Sequence, residues 1–326
     1  MRVTLKDIAN LAHVDTGTVS HVINGHPKAA KLRPETRERI LRAVRETGYT
    51  KNKLALAVKS GHSRVMALVS NNIGDDEFMG RIMSGLLEVL AANNYSLRVF
   101  SLRCDNHDEI VQEISSQRIE AVFFHAPGHE LFEDIQLEMQ KIHLPCATID
   151  ISNRVYGFGV VSNDQPVMEE LIAYALDRGL VNFCGPMDTE NHWEFIRRRS
   201  AGFLSGIKRF AGRVGKVWDL QDADFANLPE HTAIICPSDQ QALNILESPH
   251  WQRDSFPETY GISGFGDGVL AGWGMLPLTS INQDHCEMGK MAADALIKWL
   301  ASGDEELFSS VKNEMIKGRI VPRHSM

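Results

Sequence analysis

Near the start of the chain, Thr16, Gly17 and His21 fall on the polar side of a short apolar-periodic run from Thr16 to Ile23. Hydroxyl, imidazole and bare backbone at the first turns of a helix can meet base edges in a DNA major groove. Elsewhere the residue types that carry covalent chemistry are not spaced for it. His192, Asp188 and Glu190 sit close together without a nucleophile elbow or metal-ligand spacing. "GISGFGDG" lacks both the dinucleotide fingerprint and the Walker pattern. The five cysteines, Cys104, Cys146, Cys184, Cys236 and Cys286, form no CxxC and no zinc pattern, and read as buried reduced thiols. Binding is therefore expected, with no catalytic residue, no metal and no cofactor.

The elements that would hold those polar groups follow from "TLKDIANLAHVDTGTVSHVING", Thr4 to Gly25. Thr4 with Asp7 three residues on reads as a helix N-cap, and the first helix runs from about Leu5 to Ala12. Asp15 caps a second helix that stops at Asn24-Gly25, with Val19, Val22 and Ile23 turned to a small core. Two helices on a three- or four-residue turn make a helix-turn-helix. A third helix, "PETRERILRAVRETG", starts on Pro34, carries Ile40, Leu41 and Val44 as its apolar stripe and closes at Gly48. Charge agrees: residues 1–63 carry twelve Lys/Arg against five Asp/Glu, and the remainder twenty-two against thirty-seven, within a net charge of -8. A basic head on an acidic body suits a nucleic-acid binder with a separate regulatory domain.

From Arg64 onward short apolar runs alternate with helical patterns. "RVMALVS", "YSLRVFSL", "IEAVFFHA" and "LPCATID" read as strands, and "RIMSGLLEVLAANN", "HDEIVQEISSQR" and "ELFEDIQLEMQKI" as the helices between them. A second set follows from "PVMEELIAYALDRG" through "LVNFCG", "FIRRRSAGFLSGIKRF", "GKVWDL", "HTAIICPSD" and "QQALNIL" to "TYGISGFGD". Two such units predict two lobes with parallel sheets, and a ligand cleft at the carboxyl ends of the strands. No apolar run approaches the roughly 18 residues that span a bilayer, and the first ten residues show no secretory pattern. The expectation is a cytoplasmic protein with no membrane partner.

The opening stretch, together with "TRERILRAVRETGY" and "NKLALAVKSGHS", resembles the DNA-binding head of the LacI/GalR (lactose/galactose repressor) family. Thr4, Asp7, Ala9, Val14, Thr18, Val19, Ser20, Asn24, Tyr49, Asn52 and Ala55 carry the match, in order. The resemblance implies that Thr4, Thr16, Gly17, Thr18, Ser20, His21 and Asn24 face a double-stranded operator. It also implies that Asn52, Ala55 and Val58 form a hinge, with Val58 at the position that wedges into the minor groove. Three residues depart from the pattern: His13 at the turn glycine, Asp15 at the usual serine, and His21 at the usual arginine. Asp15 still caps a helix but repels phosphate, and His21 lacks the bidentate fork for guanine. An altered operator is expected.

The body resembles the same family's periplasmic-binding-protein-like sensor through "RSAGF", "CPSDQQAL", "GISGFGD", "LPLTSINQD", "MGKMAADALIKWL" and "IVPRHS". The resemblance implies an effector cleft with Arg199 as the main ligand contact. Asp239 is expected there as an acceptor or as the partner that orients Arg199, and Gly266 stands where an acid often meets the ligand. Phe78 and Trp193 are candidates to stack on a sugar face, with packing as the alternative. The expected division is a head at 1–50, a hinge at 51–63, a first lobe at 64–158 and 284–314, and a second lobe at 159–283 and 315–326. The expected function is a homodimeric transcriptional repressor controlled by a small effector, a sugar acid ahead of a neutral sugar because a retained arginine and a lost acid leave the cleft more positive. An activator and a constitutive repressor with a degenerate sensor stay open, and a solute-binding protein without DNA activity is the remote alternative.

Overall fold

The computed structural model describes residues 3–50, 61–71, 73–74, 77–126, 128–248, 256–273, 276–304 and 313–326. The chain separates into two compact units, Met1–Ser63 and Arg64–Met326.

The first unit is built by its caps. α1 (Leu5–Ala12) opens with a complete capping box between Thr4 and Asp7, and ends at His13 in the left-handed region, φ 52°. A histidine thus takes the conformation that usually favours glycine. α2 (Thr16–Ile23) is capped by the Asp15 carboxylate, which accepts from the Thr18 N–H at 2.8 Å. α3 (Pro34–Thr47) stops at Gly48, φ 62°. Ile8, Ala9, Ala12, Val19, Ile40 and Ala43 make the core, with Val22, Ile23, Val44 and Tyr49 packed around it. Leu41, expected in the stripe, is only half-buried, because the helical period brings Ala43 inward instead. Arg39 of α3 donates to the Ala12 carbonyl at 2.7 Å and so closes the end of α1.

The second unit holds two parallel sheets. The first has the order β11-β5-β4-β3-β1-β2. Its strands are β1 (Val65–Ser70), β2 (Ser96–Ser101), β3 (Val122–His125), β4 (Cys146–Ile149), β5 (Phe158–Asn163) and β11 (Glu314–Lys317). All five pairings are parallel. β3 and β4 are buried throughout, whereas the outer strands β2 and β11 are half-buried or exposed, as expected for edges. The covering helices are α4 (Glu77–Ala92), α5 (His107–Ser116), α6 (Phe132–Lys141) and α11 (His285–Ser302). α4 and α11 cross closely at Gly85 and Gly289, where an added methyl would overlap the other helix's backbone.

The second sheet, β7-β6-β8-β9, is also parallel. It comprises β6 (Asn182–Gly185), β7 (Val217–Asp219), β8 (Thr232–Ile235) and β9 (Tyr260–Ser263). Its helices are α7 (Asp164–Leu176), α8 (Glu194–Arg209), α9 (Asp239–Glu247) and the short α10 (Val269–Trp273). A small antiparallel pair, β10 (Ser280–Asn282) with β12 (Arg319–Val321), lies beside it. The chain thus passes between lobes at Asn163–Asp164, before His285, and between β11 and β12. Two expected boundaries move. The division at 158/159 cuts β5, which lies whole in the first sheet paired to β4, and the division at 314/315 cuts β11, which pairs with β5. The buried run "FGVVSN" that forms β5 goes unassigned in the sequence reading, because Gly157 and Gly159 blur its pattern.

Candidate functional sites

On the head, Thr16, Gly17, Ser20, His21 and Asn24 border one shallow concavity, together with Leu5 and His26. Thr16, Gly17 and Asn24 are exposed, and Ser20 and His21 half-buried. The Asn24 amide donates to the Ser20 hydroxyl at 3.1 Å. Thr4 and Thr18 do not join this surface on the same terms. The Thr4 hydroxyl donates to Asp7 at 2.7 Å, and the Thr18 hydroxyl donates to Asp15, so both are spent on caps. Gly17 lies so close to the Asp15 carboxylate that an added methyl would sit 2.9 Å from it. That contact gives the glycine a local reason. Asn52, Ala55 and Val58 lie outside the described residues.

In the body, a cleft of about 880 Å³ opens between the lobes. Strand ends from both sheets reach it: His125 as the last residue of β3, Asp150 after β4, Ser238 and Asp239 after β8, and Phe265 after β9. That is where open parallel sheets bind ligands. Phe78, Trp193, Arg199 and Asp239 all border the cavity. Gly266 stands behind the Phe78 ring rather than on the wall. Its φ is 121°, its N–H donates to Ile281 at 2.8 Å, and an added methyl would overlap Phe78. Phe78 in turn stacks on His285, ring centres 4.6 Å apart. Trp193 is 44% exposed at the mouth and meets the Gly128 backbone of the other lobe.

Arg199 is 6% exposed. Its guanidinium lies over the Phe265 ring at 3.9 Å and the Phe195 ring at 4.8 Å. It donates to the Pro237 carbonyl at 2.5 Å and to Gln283 Oε1 at 3.0 Å. Part of the fork is therefore engaged before any ligand arrives, while Nε has no hydrogen-bond partner and faces Asp164 at 3.6 Å. The Asp239 carboxylate accepts from the Gly268 N–H at 2.6 Å and from the Ser280 hydroxyl at 2.5 Å, so it braces the 264–268 turn. The printed bonds of the Arg199 fork go to Pro237 and Gln283.

Sequence reasoning missed the polar ties between lobes. Arg198 donates to Asp150 at 2.7 Å, to Asp164 at 3.3 Å and to Glu194 at 2.7 Å. Burial pushes the Asp150 carboxyl up, but Arg198 and its cationic neighbours outweigh it and hold it low. Burial wins at Asp164, whose carboxyl is raised despite Arg199 and Arg198. On the opposite side, Arg81 of α4 donates to the Asp267 carbonyl at 2.5 Å and the Gly266 carbonyl at 3.3 Å. His285 is 4% exposed, its Nδ1 has no partner, and burial lowers its pKa to about 4. The expected positive excess in the cleft is absent. Glu130, Glu133, Asp150, Glu194 and Asp239 border it against Arg197 and Arg199 among the described residues. The first-lobe acids that reverse the balance, Glu130, Glu133 and Asp150, sit at the ends of the expected helix "ELFEDIQLEMQKI" and strand "LPCATID", and nothing in either run marks the end that borders the cleft.

Comparison with known proteins bears on both units. Residues 4–52 match the family described as bacterial regulatory proteins, lacI family, and residues 181–326 match a periplasmic binding protein-like domain. The chain is 24% identical to the ribose operon repressor of Haemophilus influenzae over 321 residues, covering 93% of each protein. It is 23% identical to catabolite control protein A of Staphylococcus epidermidis, covering 94% of each. The crystal structure of the lac repressor dimer bound to operator and the anti-inducer ONPF superposes with a TM-score of 0.77 at 17% identity, over 100% of this chain and 99% of that one. The structure of the regulator CelR with cellobiose gives 0.64 at 20% identity, over all of both chains. The chain joins a lacI-family DNA-binding domain to a periplasmic binding protein-like domain, and the relatives it matches include transcriptional repressors. It is a DNA-binding transcriptional regulator and not an enzyme. Among the described residues no helix is long and apolar enough to cross a membrane.

Proposed function

We propose that this regulator is a cytoplasmic, homodimeric repressor released from its operator by a small neutral polyol or sugar held in the cleft. The observation that carries the ligand class is the cleft wall. Two aromatic faces, Phe78 and Trp193, stand beside an arginine with spare donors and more carboxylates than guanidinium groups. Acids on the wall repel an anionic ligand, whereas hydroxyls both donate and accept, and so satisfy carboxylates, Arg199 and a neutral imidazole alike. The sugar acid expected from the sequence therefore ranks second. Thr16, Gly17, Ser20, His21 and Asn24 are the residues we assign to the operator, with Thr4 and Thr18 supporting through their caps. Arg199, Phe78 and Trp193 are those we assign to the effector. The ribose operon repressor and the CelR–cellobiose complex are relatives whose names point to the same ligand chemistry.

Thermal-shift screening of the full-length protein against neutral sugars, polyols, sugar acids and sugar phosphates tests the reading. A ligand at 100 times its dissociation constant adds about 2.7 kcal/mol of stability. The same compound should release operator in a mobility-shift assay, through a coupling of about 1–3 kcal/mol. Arg199→Lys, which keeps the charge but loses the fork, should weaken that response. Stabilisation by acids and not by neutral sugars would overturn the ligand class, and no stabilisation by any compound would favour a constitutive repressor.

A further inference from the structure

The position that usually carries arginine on the second helix is His21, and His21 is not alone. Its ring is stacked on that of His26, centres 4.6 Å apart and planes 28° from parallel. The main chain makes the pairing. Gly25 takes φ 65°, which turns the chain back on the helix end, and the His26 N–H then donates to the His21 carbonyl at 2.9 Å. His26 is held from its other side as well: its Nδ1 accepts the Lys28 N–H at 3.2 Å, which orients the ring. Both rings border the concavity formed with Thr16, Gly17, Ser20 and Asn24. Gly17, one turn before His21, has no side chain to support that ring, so support comes from the loop.

An unsupported histidine on a helix surface samples several rotamers, and ordering one on DNA costs entropy. A ring already stacked on an anchored neighbour has less to lose. We infer that His26 is a positioning residue for DNA recognition: it fixes the His21 ring so that His21 presents one edge to one base pair. The paired rings would thus stand in for the rigid fork that an arginine brings with it. This inference rests on the assignment of the α2 surface to the operator.

The test uses the full-length protein and a duplex selected by that protein from a randomised DNA pool. His26→Ala should weaken binding to the selected duplex by about five- to tenfold and flatten discrimination at a single base pair, the size of effect expected for one base-edge contact. His26→Phe, which keeps the stacked ring without its nitrogens, should restore most of both. His21→Ala with His26→Ala should bind no more weakly than His21→Ala alone, because the second ring acts through the first. Head folding is followed by circular dichroism, so that loss of helix is not mistaken for loss of positioning. If His21→Ala weakens binding while His26→Ala does not, or if His26→Phe is no better than His26→Ala, the inference is overturned. If His21→Ala itself binds like the native protein, the assignment of the operator surface fails instead.

Discussion

The head and the body handle polar side chains in opposite ways. In the head the polar side chains at the helix starts and along α2 are answered by near neighbours, Thr4 with Asp7, Thr18 with Asp15 and Asn24 with Ser20, and most remain exposed. In the body several polar groups deep in the cleft are buried and answered from far along the chain. Asp150 meets Arg198, Asp164 meets Gln283, and Arg81 meets the 266–267 turn. An exposed surface can keep its donors free for a partner as long as DNA, whose phosphates attract it from a distance. A cleft for a small molecule must keep its groups fixed and dry between visits. A change in the head should therefore alter binding with little effect on stability, and a change in the cleft should alter both.

The sharpest break in that contrast is Arg198→Ala. It leaves Asp150 buried without its ion-pair partner and Asp164 with Arg199 alone, and loss of one partner of a buried pair costs about 3–5 kcal/mol. All five tryptophans lie beyond residue 63, so denaturant unfolding followed by tryptophan fluorescence reads the body alone. An unchanged midpoint would show that the ties between lobes carry no stability.

Acid should separate the two units next. Burial lowers the pKa of His285 from 6.5 to about 4. The unfolded chain takes up that proton below pH 6.5 and the folded body does not until about pH 4. Stability is thus intact above 6.5 and falls through that window, by about 3 kcal/mol in total. The head's carboxylates behave differently. Hydrogen bonds from Thr4 to Asp7, and from Thr18 to Asp15, hold both below their ordinary 3.8, so their contribution is present above that pH and is lost only as it falls lower. Denaturant unfolding followed by fluorescence should show the body's midpoint falling between pH 6.5 and 4 while head helicity persists. His285→Phe, which retains a ring against Phe78, should remove the loss.

Gly266→Ala is expected to act more mildly on the fold and strongly on the ligand. It strains a φ of 121° and drives Phe78 toward the cavity. Overpacking of this kind costs about 1–3 kcal/mol, and calorimetry with the effector found by the screen should show weakened binding. The smallest effect is assigned to Thr16→Ala. It should weaken operator binding several-fold, worth about 1 kcal/mol, with no change in head melting. A melting shift there would mean that the head surface is structural after all.

The same contrast explains what was legible in the sequence. Caps at i and i+3, a proline at a helix start and a glycine at its stop are local, and the head was read from them almost residue by residue. The alternation of strands and helices in the body was equally plain. The site residues Phe78, Trp193, Arg199 and Asp239 do meet at one cleft, but what each does there was not legible. Asp239 braces a turn because Ser280 and Gly268 come to it from elsewhere in the lobe. Asp150, Asp164 and Arg198 went unnoticed because no spacing marks residues that meet across two lobes. The one usable signal was positional: His125 ends one parallel strand and Asp150 stands just past another, where a ligand site is expected.

The first sheet has a consequence for how the protein is made. Its outer strand β11 pairs with β5, yet residues 164–313 are synthesised between the two. At roughly 5–20 residues per second, β5 waits about 8–30 s for its neighbour. Throughout that time β5 is an open edge, and α11 is also missing from the face that it will cover. The lobe that begins first on the ribosome thus stays open almost to the end of synthesis, and that interval is when its edge is most exposed to pairing with another copy of the chain.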